Sequence, residues 1–590
     1  MKQLYTRWGR QLDPAHVLPE YPRPLLQRES YINLNGRWDY AFTQKFKRPA
    51  AFDGKIVVPF SPESVLSGVG RQLQPDEYLW YRTTLPIEPD RLAAGFHLIL
   101  HFGAVDQACR VYVDGKEAAR HTGGYLPFSI DITEFASAAS ELLVAVQDLS
   151  DTSYHARGKQ KLKRGGMFYT AQSGIWQTVW MEYVPARYVE EIITEPDLKR
   201  GCVKITVCSS LTLPVQIQIR EPALYLEPSE SDVVAGSETG TQTSSQNILT
   251  TTTGLSNQEL ELPLPHIRPW TCEEPYLYYF TVTLGEDKVV SYFALRSFTI
   301  EPDQNSIPRI CLNGQAQFQN GVLDQGYWSD GLYTAPADAA YIFDILEMKK
   351  LGFNMLRKHI KIEPQRWYYH CDRLGMIIWQ DMVNGGSYYK HWFVTYAATL
   401  FSRKRLQIPD RCLRLLSRTH RNGRTEFVHE LKETIHLLKG HPSIAVWVIF
   451  NEGWGQFHAG LITRIARKCD ATRLIDQASG WFDQNGGDLQ SIHHYFFTLR
   501  FTPEARRATV LSEFGGYSLQ IPGHSAYGKL YGYRTFKDTG TFKSAYEERM
   551  RKVQAQIPEG MCASVYTQLS DVEEEVNGIF TYDREVNKLS

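Results

Sequence analysis

Little in this sequence favours a charged polymer or a lipid bilayer as partner. Lys and Arg number 64 against 65 Asp and Glu, a net charge of -1, and such a balance exerts no global pull on nucleic acid or an anionic membrane. No apolar run approaches the roughly 18 residues that mark a spanning helix. The opening stretch lacks the apolar core of an export signal. Nine cysteines occur without any CxxC pairing, and an odd, unpatterned count reads as reduced thiols, so a cytoplasmic location is expected. Metal-ligand spacing is missing as well. His493 and His494 are adjacent, and neighbours on a regular strand point to opposite faces, so the two cannot share one ion. Neither a metal nor an organic cofactor is expected.

What is present points elsewhere. Aromatic residues make up 13%, with 13 Trp and 33 Tyr, and flat rings suit the apolar faces of sugars as well as β-sheets and interfaces. A chain of 590 residues exceeds what one hydrophobic core supports, so several domains follow. Residues 1–186 carry short β-rich runs without intervening helices, and Asp114-Gly115 supplies a hairpin signal. This predicts a β jelly roll. Residues 187–298 repeat the pattern at the size of an immunoglobulin-like β-sandwich. Within them the Ser/Thr/Gly-rich stretch from Glu227 to Gly254 reads as a long loop.

From residue 299 to 590 apolar strands alternate with amphipathic helices, and eight strand candidates can be counted. In the helix near residue 430, Phe427, Leu431, Ile435 and Leu438 share one face. The segment predicts a (β/α)8 TIM barrel whose strands are apolar throughout, as a parallel sheet buried on both faces requires. Barrels of this kind place their chemistry at the carboxyl ends of the strands. Two apolar runs lead into a glutamate: Ala445–Phe450 into Asn451-Glu452, and Thr509–Ser512 into Glu513. A carboxylate there is costly unless water, a partner or chemistry uses it. Paired carboxylates are what glycoside hydrolysis requires, one protonated to assist the leaving oxygen and one ionised. Each glutamate alone could instead cap a helix or pair with an arginine.

At these residues the chain resembles glycoside hydrolase family 2, the β-galactosidase and β-glucuronidase family. The resemblance runs from Asn33-Leu34-Asn35-Gly36-Arg37-Trp38 through Ser173-Gly174-Ile175-Trp176, Gly352-Phe353-Asn354, Asn451-Glu452 and Ser512-Glu513-Phe514-Gly515. It implies a retaining exo-glycosidase with Glu452 as acid/base and Glu513 as nucleophile. It further implies that Tyr495 donates to the nucleophile, that Arg357 braces it, and that Asn451 binds a sugar hydroxyl. Asp324 and Asp381, near the ends of strands one and three, are candidate sugar contacts. Trp454, Trp481 and Tyr566 are candidate stacking platforms, with packing the equal alternative for each.

Two departures bear on the substrate. After Arg357 the run is Lys358-His359-Ile360, so His359 is displaced from the family's usual histidine. Members acting on glucuronides carry Asn-x-Lys before a Gly-Ile-Phe-Thr run, whereas here Glu575-Val576-Asn577 precedes Gly578. A neutral glycone is therefore expected: a β-galactoside first, then a pentoside or galactofuranoside, with a glucuronide as the alternative. A non-catalytic carbohydrate-binding protein is the rival from another class. The expected partner is an oligosaccharide or glycoside, not nucleic acid or membrane, and the resemblance brings homo-oligomers into view. The basic insert 403–424 reads as a solvated surface.

Overall fold

The computed structural model describes residues 3–221, 248–390, 392–397, 408–495 and 501–590. The first sandwich sets a six-stranded antiparallel sheet against a four-stranded one. Trp38, Leu100, Val111, Val144 and Met181 alternate inward from both sheets and are sealed from solvent. Its hairpin turns at Asp114 and Gly115, with φ of 48° and 76°, the left-handed pair that matches the twist of the flanking strands.

The second sandwich packs three strands, Glu191–Asp197, Cys202–Cys208 and Glu259–Pro263, against four. One of those four, Ile248–Leu255, pairs with Pro214–Arg220. The expected loop from Glu227 to Gly254 is thus corrected at its end. Four consecutive β-branched threonines favour extended backbone, and residues 227–247 of that stretch lie outside the described residues.

The barrel strands are β1 (Gln319–Asp324), β2 (Met355–Lys358), β3 (Ile377–Asp381), β4 (Ile444–Val448), β5 (Leu474–Asp476), β6 (Leu489–His494), β7 (Ala508–Gly515) and β8 (Met561–Thr567). The parallel ladder runs β5-β4-β3-β2-β1-β8-β7-β6. Its ends meet where Ser491 on β6 donates to Asp476 on β5 at 2.7 Å. The helix Arg421–Leu438 buries Phe427, Leu431, Ile435 and Leu438, the face expected from the sequence. Among the described residues no helix is long and apolar enough to cross a membrane, and all nine cysteines are free thiols.

Two long-range contacts set the scene for the site. The N-terminal stretch bridges the first sandwich and the barrel: Tyr5, Leu12 and Val17 pack with Val57 and Phe60, while Leu4 and Trp8 pack into the barrel's core. An arm of the first sandwich reaches back over the barrel mouth. Ala156 pairs with Gly385, and the Arg157 and Gly158 amides donate to the Asn384 carbonyl at 3.0 and 3.2 Å.

Candidate active site

Glu513 lies inside β7 near its carboxyl end and is buried. Glu452 lies four residues past β4 rather than directly at its end. A turn carries it, with Glu452, Gly453 and Gly455 at φ of 51°, 74° and 71°. Left-handed backbone at a glutamate costs on the order of 1–3 kcal/mol, and such strain clusters at functional sites. The turn is held by the Glu452 amide donating to the Ser479 carbonyl at 2.9 Å. It leaves the Glu452 side chain partly open, 15% exposed against 6% for Glu513.

Between the two stands His493 at the end of β6. Its Nδ1 is 2.9 Å from Glu452 Oε1 and 3.6 Å from Glu513 Oε2. Its Nε2 is 2.9 Å from Ser479 Oγ. One atom from each of Glu452, His493 and Glu513 falls within 4.8 Å of the others. Sequence reasoning set this histidine aside with its neighbour. The expected divergence of the pair does occur, since His494 turns away to accept from Arg549 at 2.8 Å. The signal that could have found His493 is its place at a strand end in line with the two glutamates.

Arg357 of β2 is fully buried and organises the floor. It donates to Glu513 Oε1 at 3.2 Å, to the Ser512 carbonyl at 3.0 Å and to Asn451 Oδ1 at 2.9 Å, and it grips both oxygens of Asp381 at 3.0 Å. Tyr495 donates to the other oxygen of Glu513 at 2.5 Å and lies flat on Tyr533, ring centroids 4.1 Å apart. Burial alone would raise the Glu513 carboxyl. The charges around it, His493 first and Arg357 next, overcome it and bring the carboxyl down to about 2. The result is a carboxylate ionised throughout the working range, which a nucleophile needs. Asn451 spends its oxygen on Arg357, and its NH2 has no acceptor among the described residues.

Several expected contacts are placed otherwise. Asp324 is buried against the Lys358 ammonium at 2.5 Å and accepts from the Gly326 amide at 2.8 Å, so both oxygens are occupied. Asp381 is taken by Arg357 and by His359, whose Nδ1 is 2.8 Å away. His359 is thus oriented by Asp381, and burial with nearby cations, Lys159 first among them, holds it well below its usual value and so neutral. Trp454 is not a free platform. Both its faces are covered, by Phe168 at 5.3 Å and Tyr389 at 5.5 Å. Tyr566 is buried edge-on between Phe514 and Tyr546. Trp481 alone of the three keeps partial exposure, its ring centroid 5.4 Å from that of His493 and its Nε1 donating to the Val394 carbonyl at 2.9 Å. Of the basic insert, residues 403–407 lie outside the described residues.

Two sandwiches stand in front of a barrel whose strand ends bring two glutamates together. The chain belongs to glycosyl hydrolase family 2: residues 26–185 match its sugar binding domain, 188–296 its central domain and 337–515 its TIM barrel domain. A putative beta-glucuronidase of Formosa agariphila is 25% identical over 63% of this chain and 39% of its own length. A beta-galactosidase of Oenococcus oeni is 24% identical over 80% of this chain and 45% of its own. The chain therefore spans less than half the length of these curated relatives. Solved structures share the fold from end to end. A beta-glucuronidase of an uncultured Clostridium gives a TM-score of 0.70 at 16% identity, covering 97% of this chain and 98% of its own. The Ruminococcus gnavus beta-glucuronidase gives 0.69 at 17%, with the same coverage.

Proposed function

We propose that the protein is a retaining exo-glycosidase that removes a terminal, neutral sugar, a β-galactoside before other glycones. The observation that carries this is the closeness of the two glutamates. Oxygens within 4.8 Å fit the roughly 5–5.5 Å of retaining enzymes and leave no room for the water that inversion places between carboxylates. Glu513 attacks the anomeric carbon while the bond to the leaving oxygen breaks, and that oxygen takes the proton of Glu452. Glu452, now a carboxylate, then removes a proton from water, whose oxygen displaces Glu513 and restores the original configuration. The neutral glycone rests on Glu575, which stands where readers of glucuronides carry their Asn-x-Lys, and whose carboxylate is occupied by Tyr169 and by Asn577 at 3.0 Å.

The test is a nitrophenyl glycoside panel of galactopyranoside, galactofuranoside, arabinoside, glucuronide and mannoside. Glu513→Gln should lose at least about 10³-fold in kcat on the best substrate. Glu452→Ala should recover turnover with azide, giving a glycosyl azide of retained configuration. Near wild-type rates in both variants would sink the assignment, and binding without hydrolysis across the panel would favour a lectin-like role instead.

A further inference from the structure

One largely buried cation beside the loop after β2 comes neither from a family motif nor from the barrel. Lys159 sits on the first-sandwich arm, just after the residues that dock on Asn384. Gly158, at φ +60°, leaves no space for a side chain: a Cβ there would stand 2.9 Å from the Ile360 carbonyl, next to His359. The chain is thus pressed onto the loop that follows β2, and the Lys159 carbonyl is pinned by the Tyr169 amide at 3.0 Å. The Lys159 side chain then passes the Tyr169 ring, its Nζ 5.6 Å from the centroid. Tyr169 is itself fixed through its hydroxyl to Glu575.

Lys159 is only 8% exposed, yet among the described residues its ammonium has no hydrogen-bond acceptor and no carboxylate within 4.0 Å. This sets it apart from the neighbouring buried lysines. Lys358 holds Asp324 and Glu363, and Lys361 holds Glu363 together with the Gly326 and Tyr333 carbonyls. A largely buried lysine whose ammonium meets no protein acceptor leaves its protons to water or to a ligand. The Gly158 contact with the Ile360 carbonyl sets Lys159 beside His359, and its charge is felt by both Glu513 and His359.

Resting on the retaining reading above, we propose that Lys159 is a glycone-binding residue lent to the barrel by the first sandwich, donating to a hydroxyl of the sugar held over Glu513. A merely structural lysine would affect every substrate alike, whereas a donor to one hydroxyl is coupled to that hydroxyl. The experiment measures kcat/KM for wild type, Lys159→Met and Lys159→Arg on the fastest panel glycoside and on its four monodeoxy analogues. Losing a hydrogen bond to a charged donor should lower Lys159→Met on the parent glycoside by about 10- to 100-fold. On one analogue the two enzymes should converge, and Lys159→Arg should retain part of the rate.

An equal loss on all four analogues, or no loss on the parent, would overturn the proposal, with melting temperatures recorded to expose a folding defect. The two readings fail separately. If a uronide proves the fastest substrate, the neutral glycone falls and the same comparison is made between that uronide and its parent hexoside. If nothing turns over, the variants are compared for thermal stabilisation by galactose, where loss of the effect in Lys159→Met supports the contact and its persistence rejects it.

Discussion

Glu513 and Asp324 at the barrel mouth and Asp106 and Asp148 in the first sandwich are all buried carboxylates, and their immediate surroundings treat them in opposite ways. In the barrel, Glu513 and Asp324 are out of water but faced by Arg357 and Lys358, and both carboxyls are held below their usual range against the cost of burial. In the sandwich, Asp106 and Asp148 are equally hidden and face no such cation at close range. Gln160 reaches Asp106 at 3.2 Å, and the Ser150 amide reaches Asp148 at 2.6 Å. Burial therefore wins, raising Asp106 well above its usual value and Asp148 to about 7. The lesson is that burial by itself yields a neutral acid. A buried carboxylate must be given its charge by placed partners, and at Glu513 those are His493 first and Arg357 next.

Removing Arg357, the partner whose charge is permanent, should break the contrast most severely. In wild type the nucleophile stays ionised above about pH 2, so kcat/KM should show no acid limb from Glu513 in the range where the enzyme is folded. Arg357→Met lifts that protection, and because the carboxyl then titrates higher, an acid limb should appear and lie at higher pH. We expect about 10³-fold loss at neutral pH, in line with the deletion of a major electrostatic contact. Asp381 also loses its partner, so stability should fall by roughly 3–5 kcal/mol. A pH profile that matches wild type in shape would show that Arg357 does not set the state of Glu513.

Tyr495→Phe is the finer probe. The hydroxyl gives one short hydrogen bond to Glu513, and its loss should cost about 10- to 100-fold in kcat. KM should change little, since the ring and its stack on Tyr533 remain. A change confined to KM would make Tyr495 a substrate contact rather than a partner of the nucleophile.

The pair of glutamates was legible because each ends an apolar run, and a run of that kind can be read locally. The same holds for the buried face of Arg421–Leu438 and for the Asp114-Gly115 turn. What could not be read was identity of partners far along the chain. Trp454 looks like a platform until Phe168, from another domain, and Tyr389, from an insert, cover its faces. Asp324 looks free until β2 brings Lys358 beside it. His493 gains its meaning only when the turn after β4 sets Glu452 against it. Periodicity reports which face of an element is buried; it carries no record of which distant side chain completes the contact.

The mildest expected effect tests the sandwich half of the contrast. Asp148 titrates from its ordinary 3.8 when unfolded to about 7 when folded. A carboxyl raised on folding binds its proton more tightly in the native state. Its contribution is complete below the unfolded value and is lost as pH rises through the folded one. Wild type should therefore lose stability between about pH 4 and pH 7 from this group. Asp148→Asn keeps an acceptor for the Ser150 amide and never ionises. Its melting temperature should fall less between pH 5 and pH 8 than that of wild type, by roughly 2 °C or more, with kcat and KM on the best glycoside unchanged. Parallel melting curves for the two proteins across that range would mean that the buried acid of the sandwich is as fully charged as the one in the barrel, and the contrast between the two regions would be gone.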